Sequence, residues 1–441
     1  MERRPEGGWQ NSPVADQGTD AVPHGKRVSW VELYFDLIFV FAVSQVAHAI
    51  VAEPVWTRVV RALGLFATLW WTWIGFAVLY NRRGDDARAS HRLFVLAGTI
   101  PCGIAATQAQ HVFEGRPAGF ALALAGARLV LAAAAAGMSA ERRRVGTGYA
   151  VSTGLFVVSA FLPQPWCYLV WALALTQEGG FLLLSGRVHG GQLGGRGLFG
   201  GRERLRQWRA HGPDDTRQAR AELRRQMLAP PSDPSRAIDA AHLSERFGLF
   251  MIILLGELVV TVGSAALDRP GQDLDYWLSM VGGLVLAGAL WWVYFSSAAD
   301  LNERLLGISG GNPALAYSLY AGGHLTPAFA LVLVAAGVGL SLHEHPPAGA
   351  PWFIAVGLTI YFGGTRVFSS GKPGRFAAAR RLAAIAATVS LALLAKVVSA
   401  PVVVAIAAAW AIAGAAAVSV SRRDALRRLE ADPAAFFRDD A

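Results

Sequence analysis

Acidic side chains inside long apolar stretches are the residues of this chain that could do chemistry. Residues 29–50, SWVELYFDLIFVFAVSQVAHAI, form an almost unbroken apolar run that carries Glu32 and Asp36 near its start. The two acids are four residues apart, so a helix places them on one face, one turn above the other. Carboxylates are costly inside an apolar helix and mark ion paths or proton relays when they occur there. The pattern therefore indicates a polar site that could bind an ion or a proton.

A second stretch, HLSERFGLFMIILLGELVVTVG at residues 242–263, repeats this arrangement. It opens with His242, Glu245 and Arg246. At roughly 100° per residue, His242 and Arg246 share a helix face, and Glu257 returns to within about 20° of Arg246. Buried charges need partners because an unpaired one keeps its full desolvation cost. We therefore expect Arg246 to hold Glu32 or Asp36, near the cytoplasmic ends of their helices.

Three further polar residues lie well inside apolar stretches: Arg128, Glu178 and His324. Arg128 is expected to pair with Glu178 or with Glu257. Any one such pair is equally consistent with a purely structural role, in which it fixes how two helices dock. For the whole set an ion or proton path is the better interpretation, because such a path needs several protonatable groups at graded depth.

Other polar or aromatic features favour a structural interpretation. His48 and His91 are expected at membrane interfaces, His343 and His345 on the rim of an outer loop, and the Trp pairs at 70–71 and 291–292 in helix packing. The two cysteines, Cys102 and Cys167, lie in or at the edge of apolar stretches, so neither a disulfide nor a metal site is predicted. No cofactor and no catalytic residue is expected.

The elements that must position these groups are membrane-spanning helices. The chain is 54% hydrophobic and 16% charged, against roughly 25% charged in an average soluble protein. Its apolar residues come in blocks of about 20, the length that crosses a hydrocarbon core. The net charge of +9 does not indicate nucleic acid, because the basic residues lie between the apolar blocks, as the positive-inside rule requires.

The predicted fold is an all-α, polytopic transmembrane helical bundle of about twelve spans. The first six predicted spans are 30–51, 60–80, 92–112, 119–138, 146–162 and 166–186, and the second six are 243–266, 276–298, 313–340, 351–370, 378–396 and 400–420.

The charge of the connectors predicts the orientation. Basic residues crowd both tails and the alternate connectors, so both termini are expected in the cytoplasm. The predicted parts are a disordered cytoplasmic tail without signal-peptide features (1–28), a first six-helix membrane half (29–186), a basic cytoplasmic linker (187–241), a second six-helix half (242–421) and a cytoplasmic tail (422–441).

The linker is Gly-rich at its start, and a basic, partly amphipathic helix is predicted over 202–229. Such a helix is expected to lie on the anionic lipids of the inner leaflet. A solvated connector is an equally good interpretation. The GxxxxGK[ST] phosphate loop is absent from the sequence.

The two halves share an internal pattern. LWW at 69–71 is followed by Asn81, and LWW at 290–292 by Asn302, each Asn ten residues after the second Trp. Arg128 and Arg366, and Glu32 and Glu245, also occupy matching places. Six spans per half predict parallel repeats related by an axis along the membrane normal. Chance similarity between Ala-, Leu- and Trp-rich helices is the alternative.

Three stretches, WVELYFDLIFVFAVSQVAHAI, LWWTWIGFAVLYN and HLSERFGLFMIILLGELVV, together resemble the bacterial low-temperature-requirement A family. The resemblance covers most of the chain outside 1–25 and 187–240. It implies a polytopic bacterial inner-membrane protein with a name that refers to growth in the cold, and it implies no particular activity. A local departure is LGEL, where a small hydroxyl residue commonly follows the Glu. The family's recurrent polar positions are matched by Glu32, Asp36, Asn81, His242, Glu245, Arg246 and Glu257.

The preferred functional hypothesis is a transporter or permeation pathway for a small solute or ion, with coupling through Glu32, Asp36, Glu245 and Glu257. A membrane-embedded enzyme acting on lipid is a second class. The sequence has no nucleophile elbow, zinc-ligand set or phosphate loop to support it, so no enzyme is expected. A membrane sensor or scaffold is the third class, with the basic linker as its working part. Either alternative would be linked to growth in the cold.

Overall fold

A computed structural model describes residues 27–84, 87–136, 140–187, 227–366, 386–387, 389–391, 393–394 and 396–431. In this part of the chain the regular structure is all helical, as predicted. The predictions for the N-terminal tail, the amphipathic helix and most of the span at 378–396 lie largely outside the described residues.

The helices overlap the predicted spans, apart from the span at 378–396, which is mostly outside the described residues. In the first half they are α1 (Trp30–Ala52), α2 (Trp56–Arg83), α3 (Ala89–Phe113), α4 (Ala118–Ala136), α5 (Ala140–Ser159) and α6 (Trp166–Arg187). In the second half they are α7 (Ala240–Asp268), α8 (Leu274–Ile308), α9 (Pro313–Ser341), α10 (Ala350–Arg366) and α11 (Ala400–Ala431).

Eight helices in the described residues are long and apolar enough to cross a membrane: α1 to α4, α7 to α9 and α11. The apolar parts of α5 and α10, Val145–Ser159 and Ala350–Gly363, are shorter. The structure therefore confirms a helical, multi-pass membrane architecture. The number of twelve spans stays a prediction.

Two helices run past their predicted ends. Helix α8 continues to Ile308 and α11 to Ala431, each about ten residues beyond the predicted span. Both extensions are rich in Ala, Leu, Arg and Glu, which favour helix where no apolar surface is required. Hydropathy locates the membrane-crossing part of a helix, whereas backbone propensity determines how far the helix continues.

The order of packing is similar in the two halves. Helix α1 packs against α2 and α3, and α3 packs against α4; correspondingly α7 packs against α8 and α9, and α9 against α10. This correspondence favours the predicted repeat, which stays a prediction. Between the halves, α1 and α2 pack against α7 and α9.

Aromatic side chains fill the contact between the halves. Trp70 and Trp73 of α2 are 2% and 0% exposed. The ring of Trp73 lies 4.2 Å from that of Phe250 and 4.8 Å from that of Phe247 in α7. Trp70 also donates its indole N–H to the carbonyl oxygen of Ala321, at 2.9 Å. That carbonyl belongs to a π-helical turn, Tyr317–Gly322, inside α9.

The segment before α7 is held against the end of the bundle. The N–H of Ile238 donates to the carbonyl of Gly311 at 2.9 Å, and Arg82 donates to the carbonyl of Arg236 at 3.1 Å. Gly311 has a φ of +73°, and a Cβ there would collide with the backbone of Ile238. Glycine is required at this position, because it tolerates that backbone conformation and the close approach. The contact fixes the start of α7, which supplies the residues described next.

Candidate functional site

Glu32 is the most strongly held carboxylate at the contact between the halves. Ser29 caps α1, and its N–H and hydroxyl both lie within 3.2 Å of Oε2 of Glu32 in a capping box. Nε2 of His242 lies 3.1 Å from the same oxygen, and Nη1 of Arg246 lies 2.5 Å from Oε1. Glu32 is 0% exposed. Donors to both of its oxygens favour the ionised form of a carboxylate.

Asp36 lies one helical turn further along α1 and is also 0% exposed. Its Oδ1 accepts from the indole N–H of Trp73 at 2.6 Å and from Nη2 of Arg246 at 3.2 Å. In the described part of the chain its other oxygen, Oδ2, has no hydrogen-bond partner. Within this part of the chain Glu32 therefore accepts hydrogen bonds at both oxygens, whereas Asp36 accepts them at Oδ1 alone.

Arg246 joins the two acids, as predicted from the sequence. Its two terminal nitrogens divide between them, Nη1 to Glu32 and Nη2 to Asp36, and its side chain is 1% exposed. The guanidinium carbon also lies 5.6 Å from the ring centre of Trp73, within the range of a cation–π contact. A single cation thus faces two carboxylates.

Asn81 determines the protonation of His242. The backbone N–H of Asp239 donates to Oδ1 of Asn81 at 3.0 Å, which orients the carboxamide. Its Nδ2 then lies 2.9 Å from Nδ1 of His242. Because a carboxamide nitrogen can only donate, Nδ1 of His242 must accept, and the ring proton is left on Nε2, facing Glu32. This network assigns a neutral imidazole.

With both carboxylates ionised, the charges of this group do not balance. Glu32 and Asp36 then contribute two negative charges, Arg246 one positive charge, and His242 none. The unbonded Oδ2 of Asp36 is where the excess negative charge is least compensated. We call Glu32, Asp36, Trp73, Asn81, His242 and Arg246 the interface cluster.

A second buried ion pair lies within the first half. Nε of Arg128 in α4 donates to Oε1 of Glu178 in α6 at 2.7 Å, and Nη1 donates to the hydroxyl of Thr72 at 3.0 Å. The guanidinium carbon lies 4.2 Å from the ring centre of Phe156. Of the two partners considered for Arg128, the structure selects Glu178.

The other predicted site residues lie apart from the interface cluster. Glu257 is 5% exposed and accepts from the hydroxyl of Thr261 at 3.2 Å. Glu245 is exposed, and its carboxylate accepts from the N–H of Val28. His324 is buried, with Nε2 3.0 Å from the hydroxyl of Tyr294 and Nδ1 2.9 Å from the carbonyl of Leu319.

Sequence reasoning missed several members of the site. Trp73 was not singled out, because a Trp in a Trp-rich helix is most often a packing residue. The role of Ser29 could have been found, since Ser29 and Glu32 form the S-x-x-E pattern of a capping box. In the predicted repeat, Tyr294 of the second half corresponds to Trp73 of the first, 221 residues earlier. Its hydroxyl lies 3.0 Å from Nε2 of His324, whereas Trp73 donates to the carboxylate of Asp36.

The cluster does not have the composition of a metal centre. In the residues that the structure describes, no group of three or more His, Cys, Asp and Glu side chains is arranged to hold a metal ion. The arrangement can hold charge and exchange protons.

Comparison with known proteins agrees with the resemblance. The family profile described as "Bacterial low temperature requirement A protein (LtrA)" matches residues 27–420. An uncharacterized protein of Rhizobium meliloti (strain 1021) is 24% identical over 334 residues, which cover 73% of this chain and 70% of that protein. Both the family match and the interface cluster include α1, α2 and α7.

Proposed function

The chain belongs to the bacterial low temperature requirement A family, and from this premise we propose that it is a transporter or permeation pathway for a small solute or ion. In this proposal the carboxylates of the interface cluster lie within the membrane and take part in coupling. The observation that supports it is that two buried carboxylates share one arginine where α1 and α2 meet α7.

The location of the cluster favours movement as part of the mechanism. Arg246 and His242 come from the second half of the chain, and Glu32, Asp36 and Asn81 from the first. In transporters built from two halves, the substrate and ion sites lie at the contact between the halves. Any movement of α7 relative to α1 would change the contacts of both carboxylates at once.

A purely structural pair would be built differently. One carboxylate and one arginine are enough to join two helices, and Arg128 and Glu178 form such a pair within the first half. The interface cluster adds a second carboxylate at the desolvation cost of another charge. A role for the second carboxylate in coupling during transport would explain why the protein keeps it despite this cost.

The test is flux through the purified protein in liposomes. We expect an imposed gradient of protons or of one member of a panel of small solutes to be dissipated faster than in empty liposomes. The Asp36→Asn variant, which keeps the shape of the side chain, is expected to lower this flux to the background while remaining folded. The exposed Arg116→Met variant is the matched control. Absence of flux over the whole panel would contradict the proposal, and lipid turnover by the purified protein would favour an enzyme.

The proposal includes the orientation, with both termini in the cytoplasm of a bacterial inner membrane. Single cysteines at Ser139, Ser235 and Ser421, in a background lacking Cys102 and Cys167, are expected to resist an impermeant thiol reagent in intact cells. A cysteine at Ala348 is expected to react, because it lies in an exposed loop between α9 and α10. Permeabilised cells are the control, and labelling at Ser235 in intact cells would reverse the orientation.

A further inference from the structure

We propose that Asp36 is the proton-exchanging group of the interface cluster and that Glu32 is its permanently ionised anchor. The protonation of Asp36 is a property of the protein itself. Its use as the coupling step rests on the proposed function.

The two carboxylates differ in how many donors they receive. Glu32 has donors at both oxygens: Arg246 at Oε1, and Ser29 and His242 at Oε2. A proton on Glu32 would remove its charge and so weaken the charge-assisted bond with Arg246 and the bonds at Oε2. Asp36 uses only Oδ1, for Trp73 and Arg246. A proton on Oδ2 of Asp36 displaces nothing, so the cluster accepts its proton there at the lowest cost.

The charges around Asp36 favour a positive charge, such as a proton, at its Oδ2 oxygen. Within the described ranges, the titratable and charged groups that face Asp36 are Glu32 of α1 and Arg246 of α7, with His242 behind Glu32. Helix α2 contributes the indole of Trp73. In the described residues, no hydrogen bond or ion pair joins Asp36 to α3 or α9, the other helices packed against α1. With His242 neutral, one added proton makes the cluster electrically neutral, which a buried site of low dielectric favours.

A proton fits this position better than a metal cation. Hard cations such as Ca²⁺ and Mg²⁺ take about six or more oxygen ligands at ordered distances. Here the only unbonded carboxylate oxygen in the cluster, as far as the chain is described, is Oδ2 of Asp36. The described residues also contain no group arranged to hold a metal.

His242 contacts the carboxylate of Glu32, but it is not the group of the cluster that first accepts a proton. Asn81 occupies Nδ1 of His242 and the imidazole donates through Nε2 to Glu32, so the ring has no unbonded nitrogen to receive a proton. Protonation of His242 would require Asn81 to turn and give up its bond with the N–H of Asp239. The bonds of the Asn81 carboxamide therefore make His242 a less favourable site for the added proton than Asp36.

The test is infrared difference spectroscopy of the full-length protein in nanodiscs during a pH titration, which reports protonated carboxyl groups directly. We expect a protonated-carboxyl band that is lost in Asp36→Asn and retained in Glu114→Gln, a control that removes an exposed carboxylate outside the cluster. Glu257→Gln identifies any separate band from that residue. A spectrum of Asp36→Asn identical to the wild type throughout the titration would overturn the proposal.

Two further measurements separate this proposal from the proposed function. Adding sodium or potassium ions at fixed pH is expected to leave the Asp36 band unchanged; loss of the band would show a competing metal cation and overturn the choice of a proton. The thermal unfolding midpoint of Asp36→Asn is expected to stay near the wild type, and that of Glu32→Gln to fall. An Asp36 band in a protein that shows no flux would leave the protonation site standing and remove the transport role.

Discussion

Replacing Arg246 by methionine is expected to prevent most of the protein from accumulating in its folded form. Methionine keeps much of the volume of the side chain but leaves Glu32 and Asp36 buried without their shared cation. Removing one partner of a buried ion pair costs about 3–5 kcal/mol, and here a single substitution uncovers two carboxylates. The measurement is the thermal unfolding midpoint in detergent, together with the amount of monodisperse protein recovered.

The control for this substitution is Arg116→Met, which removes an exposed arginine that pairs with Glu114 outside the bundle. Exposed pairs contribute about 0–1 kcal/mol, so this variant is expected to match the wild type. The triple variant Arg246→Met, Glu32→Gln, Asp36→Asn removes both negative charges and is expected to recover a large part of the stability. If Arg246→Met unfolds at the same temperature as Arg116→Met, Arg246 does not hold the two acids.

The pairing of Arg246 with the two acids could be predicted from the sequence because of two simple constraints. Glu32 and Asp36 are four residues apart and must share a face if the helix forms. Arg246 begins the other apolar stretch at the same depth, and a buried charge of that kind needs a partner of opposite sign. The high cost of an unpaired charge leaves few arrangements, so local spacing was enough to identify a contact between residues 210 positions apart.

Other contacts could not be chosen in this way. Both Glu178 and Glu257 lie near the middle of their helices, and depth alone does not show which of them faces Arg128. That choice depends on which helices are neighbours, and the packing of α5 against α4 and α6 brings Glu178 into reach. Glu245 was grouped with the buried set, yet it precedes Arg246 by one residue and is therefore about 100° away on the helix. Helical geometry already placed it on a different face.

The protonation of the cluster depends on details that no sequence pattern contains. Asn81 could be singled out in the sequence because an Asn follows each of the two Trp pairs. In the structure its carboxamide orients the ring of His242. That role follows from the N–H of Asp239, which is positioned by the loop that docks on Gly311. The backbone of a connecting loop thus determines which nitrogen of His242 holds the proton, and so which side of the ring donates to Glu32.

The pair of Arg128 and Glu178 is expected to give an equally large loss when either partner is changed alone. Both side chains are almost fully buried, at 0% and 2% exposed. Arg128→Met leaves a carboxylate without its cation, and Glu178→Leu leaves a guanidinium without its carboxylate, beside Thr72 and the ring of Phe156. Each substitution is expected to lower the free energy of unfolding by about 3–5 kcal/mol, measured as a lower unfolding midpoint in detergent.

The double variant Arg128→Met, Glu178→Leu tests whether this ion pair only stabilises the fold or also takes part in transport. Replacing both partners of a buried pair by apolar side chains is often neutral or stabilising by about 1–4 kcal/mol, so we expect the double variant to unfold near the wild-type temperature. We also expect it to retain flux in liposomes, because this pair, unlike the interface cluster, has balanced charges and lies within one half. A stable double variant without flux would show that Arg128 and Glu178 belong to the pathway, whereas one as unstable as the single variants would show that the pair is not replaceable by packing.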